Sequence, residues 1–448
     1  MDALLLARIQ FAVTVGFHFI FPPITIGLSW FIFGFMHQYK RTENEFYGAQ
    51  ARFWLKLLAI TFAIGVATGI TMEFQFGTNW ADYSRFVGDI FGAPLAAEGV
   101  LAFFMESTFM GVLLFGWHRF SVKTLWFASL MLSLGATLSA FWIIVANSWM
   151  QTPSGYEIID GKAQLTDFFA AVFNPSTLPR YFHTMMASLT NGAFFIMGIS
   201  SFYLLRKKYF YFAKKSLYSS LFFGLFFSVA QFGLGHWHGV QVAHTQPEKL
   251  AAFEAHFDTM KNAPAIMLGF PNENTGEVDM AIEMPSALSI LVGNSISTEV
   301  QGLNAFPRDE WPPVLPVFLS FRFMVFLGLF FIGVTGLGVI LHRKKRLFDN
   351  RFFLKLAIFS LPLPTFANQL GWITAEVGRQ PWIVYRVPGM RTSDAVSRSV
   401  TSVEILFSLI LFTLIYALLF ALWIYLLKRA VNVGPEVVDE VLAKEAVA

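Results

Sequence analysis

The sequence predicts an all-α integral membrane protein with about nine transmembrane helices. The 448-residue chain is 55% hydrophobic, 17% aromatic and only 14% charged. Its mean hydropathy is +0.56. Its apolar residues fall into long runs almost free of charge, which is the pattern of membrane spans rather than of a soluble core. An open sheet edge in lipid would leave backbone groups unpaired, so the spans should be helices.

Each run must supply roughly 17–25 residues to cross a ~30 Å hydrocarbon core. Nine segments qualify, at 11–36, 55–73, 95–117, 124–146, 183–205, 217–236, 314–341, 352–371 and 403–427. The opening "MDALLLARIQ" has an early acid and no small-residue cleavage site. The first segment therefore reads as a retained helix rather than a signal peptide. Orientation comes from Lys and Arg. Twenty of the 32 lie in one set of short segments. These hold Lys40, Arg41, Arg52 and Lys56; Arg119 and Lys123; Arg206, Lys207, Lys208, Lys214 and Lys215; Arg343, Lys344, Lys345, Arg346, Arg351 and Lys355; and Lys428, Arg429 and Lys444. The rest are spread over longer loops with most of the acids. The positive-inside rule places the N-terminus outside and the C-terminus in the cytoplasm, and an odd number of spans agrees.

The largest outer loop is 239–313, between spans six and seven. It is polar, and no internal repeat divides the chain. Residues 1–448 therefore read as one membrane domain carrying one large outer loop. Cysteine is absent. This excludes disulfides, thiolate metal sites and cysteine-held iron–sulfur clusters, so any metal must rest on His, Met or carboxylate. The net charge of +3 is uninformative, and no nucleic-acid partner is expected.

Ionisable residues inside spans are costly and carry a functional hypothesis by default. His37, His118 and His342 stand at cytoplasmic helix ends beside Lys or Arg, where interfacial charge explains them. His244 and His256 lie in the outer loop, and His236 and His238 of "GHWHG" are ambiguous. His18 and His183 differ: both sit in apolar surroundings at the outer ends of spans one and five. Neutral imidazole ligates haem iron, although a histidine bonded to a neighbouring helix has the same signature. Met324 and Arg322 of "FRFM" lie in the outer part of span seven. Most membrane methionines are packing material, but a buried Arg beside haem pairs with a propionate and a His/Met pair gives a six-coordinate haem. Glu98 opens span three and Glu106 lies deeper. In an α-helix they would be about 12 Å apart along the axis, near one face. These candidates share one layer near the outer surface, and bundles build cofactor sites from facing side chains.

"GWITAEVGRQPW", residues 371–382, ends span eight in the same layer. Glu376 can ligate iron through its carboxylate. Arg379, three residues on, can neutralise a propionate or that carboxylate. Trp372 and Trp382 suit the membrane interface, and Trp372 could also stack on a porphyrin. The plainer reading is an Arg–Glu pair capping a span within an aromatic belt.

This stretch resembles the signature of the larger, haem-bearing subunit of cytochrome bd quinol oxidases. The resemblance covers nearly the whole chain: His18, "EGVLAFFMEST", His183, "GHWHGVQVAHTQPEKLAAFE" and "FRFM" follow in the family's order. It implies a terminal oxidase of the bacterial cytoplasmic membrane that oxidises quinol outside and reduces O2 to water. His183 and Met324 would ligate a low-spin haem b. His18 and Glu376 would be axial ligands of a high-spin haem b and a haem d, in either order, or of b haems alone in an all-b relative. Trp372, Arg379 and Arg322 would support the haems, and Glu98 and Glu106 would lie on the proton-delivery side. Lys249 and Glu254 match the charged pair of the quinol-oxidising loop; without the resemblance they read as solvated charges. The outer loop lacks a long insertion, as in the short-loop branch. The resemblance also implies a second large membrane subunit (subunit II) and small single-span ones. Two other readings stand beside it. One is a secondary transporter using the buried acids, supported by the helix-breaking "FPPITIG" and "LPLPTF". The other is a haem b quinol-linked electron carrier without O2 chemistry.

Overall fold

The computed structural model describes residues 2–436. Lys444, one of the charges counted above, lies outside the described residues. Fifteen α-helices and two small hairpins make up the described chain. The first membrane segment is broken into α1 (Ala3–His18) and α2 (Phe21–Thr42). Pro22 and Pro23 occupy the first turn of α2, where a missing N–H costs nothing. His18 is thus the last residue of α1, at the break.

Helix α3 (Glu45–Gly77) starts at Asn44, whose side chain accepts from Phe46 N, a standard N-cap. The third segment is longer than expected. It runs from α4 (Ala81–Ala97) through a π-helical turn (Glu98–Phe103) into α5 (Phe104–Phe115). Its extension packs Tyr83, Phe86, Val87 and Ile90 into a small outer core with Trp80, Trp149 and Val384. Next come α6 (Val122–Gln151), the hairpin β1 (Tyr156–Ile159) and β2 (Lys162–Leu165), and the short α7 (Phe168–Val172).

Helices α8 (Thr177–Leu205) and α9 (Phe210–Thr245) follow. α9 continues to Thr245, so "GHWHG" is helical and the outer loop begins later than its polarity suggested. α10 (Pro247–Glu254), the antiparallel pair β3 (Ala265–Asn272) and β4 (Glu277–Met284), and α11 (Ala287–Gly293) lie within the loop. A private core orders it: Leu250, Phe253, Phe257, Ile266, Leu288 and Leu303 pack with Val317 and Phe318. Those last two belong to α12 (Val314–Arg343).

The eighth segment is broken, as "LPLPTF" suggested, into α13 (Arg351–Ser360) and α14 (Leu363–Val377). Neither piece alone is long enough to span. Eight described stretches are single apolar helices or near-continuous helical runs of spanning length. α15 (Ser402–Val433) ends the described chain and starts with a Thr401/Glu404 capping box.

The Lys/Arg-rich loops gather at one end of the bundle. Arg52 pairs with Glu436 at 2.6 Å, and the Tyr203 and Tyr209 hydroxyls donate to Val431 O and Val433 O. Lys214 lies over Phe348 and Lys40 over Trp126. Loop 239–313 and the segment after α14 meet at the other end, where Arg391 pairs with Asp309 at 2.6 Å. Between the two ends, α2 and α8 touch backbone to backbone. A Cβ at Gly27 would come 2.5 Å from Ser188 O. This contact anchors the main apolar core, which buries Phe21, Trp54, Phe194 and Phe353.

Candidate functional site

α14 is the hub that brings most of the sequence candidates together. Trp372 stacks on Phe19, with ring centroids 5.4 Å apart, and Gln369 Nε2 donates to Gly16 O at 2.8 Å. These contacts fix the α1 break, and with it His18, against α14. Thr374 and Ser320 share a hydrogen bond of 2.9 Å, which ties α14 to α12 one turn from Met324. Glu376 Oε1 lies 3.8 Å from Arg180 Nη2. Arg180 is one turn before His183 on α8. Part of the expected outer layer is therefore joined by contacts through α14. Trp372 takes a ring partner inside this network rather than standing only in an interfacial belt.

The imidazole of His18 is held by a hydroxyl of α3. Its Nδ1 is 3.0 Å from Thr68 Oγ1. That hydroxyl has one proton, and it is committed to the carbonyls of Ile64 and Gly65 at 3.0 and 2.9 Å. In the tautomer that places the proton on Nδ1, Thr68 accepts from it and the Nε2 lone pair is left for a ligand. His183 faces Gln231, whose Nε2 is 3.2 Å from Nδ1 and 3.0 Å from Nε2. Its ring also lies 5.6 Å from that of His238.

Three candidate ligands each rest on a glycine of a neighbouring helix. A Cβ would meet His18 Cε1 at 3.2 Å from Gly69, His183 Cε1 at 3.2 Å from Gly235, and Met324 Sδ at 3.0 Å from Gly371. Larger residues there would displace the ligand atoms. No hydrogen bond or ring contact joins His183 to Met324 among the described residues. Nor do three His, Asp or Glu residues among them gather to hold a metal ion.

Glu376 is held by cations and an amide. Arg379 Nη2 donates to its Oε2 at 2.5 Å, and Gln151 Nε2 to its Oε1 at 3.2 Å. Arg379 still has two buried unpartnered nitrogens, Nε and Nη1, and Arg322 has an unpartnered Nε. Buried guanidinium groups with spare donors beside lone histidines, a methionine and a carboxylate fit haem and its propionates.

The loop pair is not solvated. Lys249 and Glu254 are 5% and 4% exposed, and they do not pair with each other. Glu254 instead forms a buried ion pair with Arg322, two residues from Met324. A propionate thus has a competitor for that guanidinium. Lys249 Nζ donates to Ala375 O and Gln151 Oε1, both at 2.8 Å, and more weakly to Gln246 Oε1 at 3.3 Å. Burial, and then the charge of Arg180, push the Lys249 ammonium well below its ordinary pKa against the pull of Glu376. Burial pushes the Glu254 carboxyl up despite Arg322.

Glu98 and Glu106 stand apart from the α14 network, against α6. Glu98 Oε1 accepts from Ser139 Oγ at 2.7 Å. Glu106 is buried, and its backbone N would lie 2.9 Å from a Cβ at Gly135. The intervening π-helical turn replaces the regular spacing assumed for these two acids; such turns recur at functional sites. Sequence reasoning missed Glu73, which lies close enough to Glu98 for their charges to interact and is one turn from Gly69. It also missed Arg180 and Gln151. An acid or a glutamine at the end of an apolar run was the only local signal. Glu248 was overlooked as well; it is buried, and its Oε1 accepts from the Tyr385 hydroxyl at 2.6 Å.

Comparisons with known proteins show the family of the chain. A family model described as cytochrome bd terminal oxidase subunit I matches residues 6–435. The chain is 41% identical to cytochrome bd ubiquinol oxidase subunit 1 of Bacillus subtilis (strain 168), over 97% of this chain and 95% of that protein. It is 35% identical to cytochrome bd-II ubiquinol oxidase subunit 1 of Escherichia coli (strain K12), over 97% of each. The solved structure of bd oxidase from Geobacillus thermodenitrificans superposes with a TM-score of 0.90 at 34% identity, covering 97% of this chain and 99% of that one.

Proposed function

Because the chain belongs to the cytochrome bd terminal oxidase subunit I family, we propose that its α14-centred site couples quinol oxidation at the outer face to O2 reduction through three haems. The chain is a multi-pass bacterial inner-membrane subunit of a haem-bearing quinol:oxygen oxidoreductase. The residue roles below are our reading. They rest mainly on one observation, the buried pairing of loop residue Glu254 with Arg322 beside Met324.

In this reading His183 and Met324 hold a low-spin haem b. His18 and Glu376 each hold a high-spin haem, one b-type and one d-type or both b-type. When bound, the haems would supply electron transfer from quinol and the reduction of O2 to water. The chain's own groups do the rest. His18 offers Nε2 in the tautomer whose Nδ1–H is held by Thr68. Arg379 and Arg322 turn their spare N–H donors to propionates, and Trp372 braces the His18 break against α14. Quinol docks against the loop within 239–313. Glu254 accepts a quinol proton and releases it outward. Lys249, buried and short of counter-charge, stabilises negative charge developing on the head group. Glu106 relays protons from the cytoplasmic side and Glu98, bonded to Ser139, delivers them.

The charge distribution supports an N-terminus outside and a C-terminus in the cytoplasm, with α13 and α14 together forming the ninth crossing. Quinol protons then leave outside while protons for water come from inside. Turnover separates charge across the membrane without a pump. The chain works as one membrane domain beside subunit II and small single-span subunits. Family membership leaves the transporter reading without support; the two helix breaks sit next to His18 and ahead of Glu376.

The loop assignment is tested by replacing Lys249 and Glu254 together with Ala. Quinol turnover should be abolished, while O2 should still oxidise the chemically reduced complex at the native rate. Normal quinol kinetics would return the pair to structural charge.

A further inference from the structure

Gln151 ends α6 at the point where three elements meet, and it is 1% exposed. Both ends of its amide are used. Its Oε1 accepts from Lys249 Nζ at 2.8 Å, and its Nε2 donates to Glu376 Oε1 at 3.2 Å and to Ala375 O at 3.4 Å. The direction of the amide follows from chemistry: an ammonium only donates and a carboxylate only accepts. A single neutral side chain satisfies both. Among the described residues Lys249 has no direct carboxylate partner: Glu254 pairs with Arg322, and Glu248 with Tyr385 and Arg386. Its nearest anion along the hydrogen bonds is Glu376, reached through Gln151.

We propose that Gln151 is a positioning residue of the quinol site, holding the Lys249 ammonium against the Ala375–Glu376 end of α14. The proposal rests on the reading of Lys249 as a quinol-site residue. Without the amide oxygen, the lysine keeps Ala375 O and the weaker Gln246 contact, too few bonds to fix a buried cation with three donors. The head group then meets a mobile charge, and binding suffers before chemistry does. A carboxylate at this position keeps an acceptor for Lys249, and Arg180 and Arg379 temper its repulsion by Glu376.

The test uses the purified complex with its haem content measured, and follows O2 uptake against concentration of a short-chain ubiquinol. Gln151→Leu should raise the quinol KM about tenfold with kcat falling less than threefold, at full haem content. Gln151→Glu should bring KM back to within about threefold of the native value. A native KM in haem-replete Gln151→Leu would overturn the proposal. So would equal damage in both variants with haem loss, which would make Gln151 a structural residue of the α6 end. Lys249→Ala separates the two levels. If it leaves quinol kinetics native, the loop reading itself fails. If it is impaired while Gln151→Leu is native, only the role of Gln151 fails.

Discussion

The Arg322–Glu254 pair lends itself to a double-mutant cycle. Its side chains are 7% and 5% exposed, so neither charge is screened by water. Removing one partner leaves an uncompensated buried ion, which costs about 3–5 kcal/mol. The rings of Phe321 and Phe318 lie 5.2 and 5.4 Å from the Arg322 guanidinium and offset part of that for the lone arginine. Replacing both residues with Leu removes both charges, and such swaps are often close to neutral. Glu254→Leu and Arg322→Leu should therefore each destabilise strongly, while the double variant should lie close to native. The coupling energy should be about 3 kcal/mol or more. The assay is unfolding of the detergent-solubilised complex, followed by tryptophan fluorescence across all four proteins. A double variant whose loss equals the sum of the two single losses would refute the pairing. With it would go the link between the quinol loop and the Met324 helix.

Met324→Leu should remove the low-spin haem signal from a folded protein. Gly371→Val, which crowds the Met324 sulfur, should weaken or shift it; an unchanged spectrum in both would retire Met324 as a ligand. The pH profile tests Glu254. Its carboxyl lies above the ordinary 4.5 because of burial, so it stays protonated at pH values where a free glutamate is ionised. A protonated base cannot accept the quinol proton. The kcat/KM for quinol should thus fall on an acid limb centred above pH 4.5, and Glu254→Gln should lack that limb. A limb at or below 4.5 would assign the titration to another group.

The spans were legible because lipid imposes a length and a composition on each. The two breaks were legible because Pro22, Pro23, Pro362 and Pro364 cannot continue a helix. Helix ends were less so. α4 and α9 extend into the outer layer on tertiary contacts, Trp149 against Phe91 and Leu288 with Val242, which no local pattern announces. The candidate ligands were legible as isolated polar residues at one depth, and α14 does join His18, Met324, Glu376 and the Arg180 turn of His183. Their partners were not. Gln151 meets Lys249 from 98 positions away, and Glu254 meets Arg322 from 68. Pairings at that range follow from packing, which is why the two loop charges read as solvated neighbours. The π-helical turn at Glu98 was hidden too, since its residues suit an α-helix equally well.

The central proposal is that His183 and Met324 would hold a haem that does not react with O2, while His18 and Glu376 would hold the haems that do. A reduced-minus-oxidised visible spectrum of the purified complex, repeated with CO, tests it most directly. The account predicts a low-spin b band that CO leaves unchanged and a separate high-spin signal that CO shifts. A long-wavelength chlorin band in that signal would assign haem d, and CO-reactive b haems alone would assign the all-b form. A folded, haem-replete preparation in which nothing responds to CO would contradict the account.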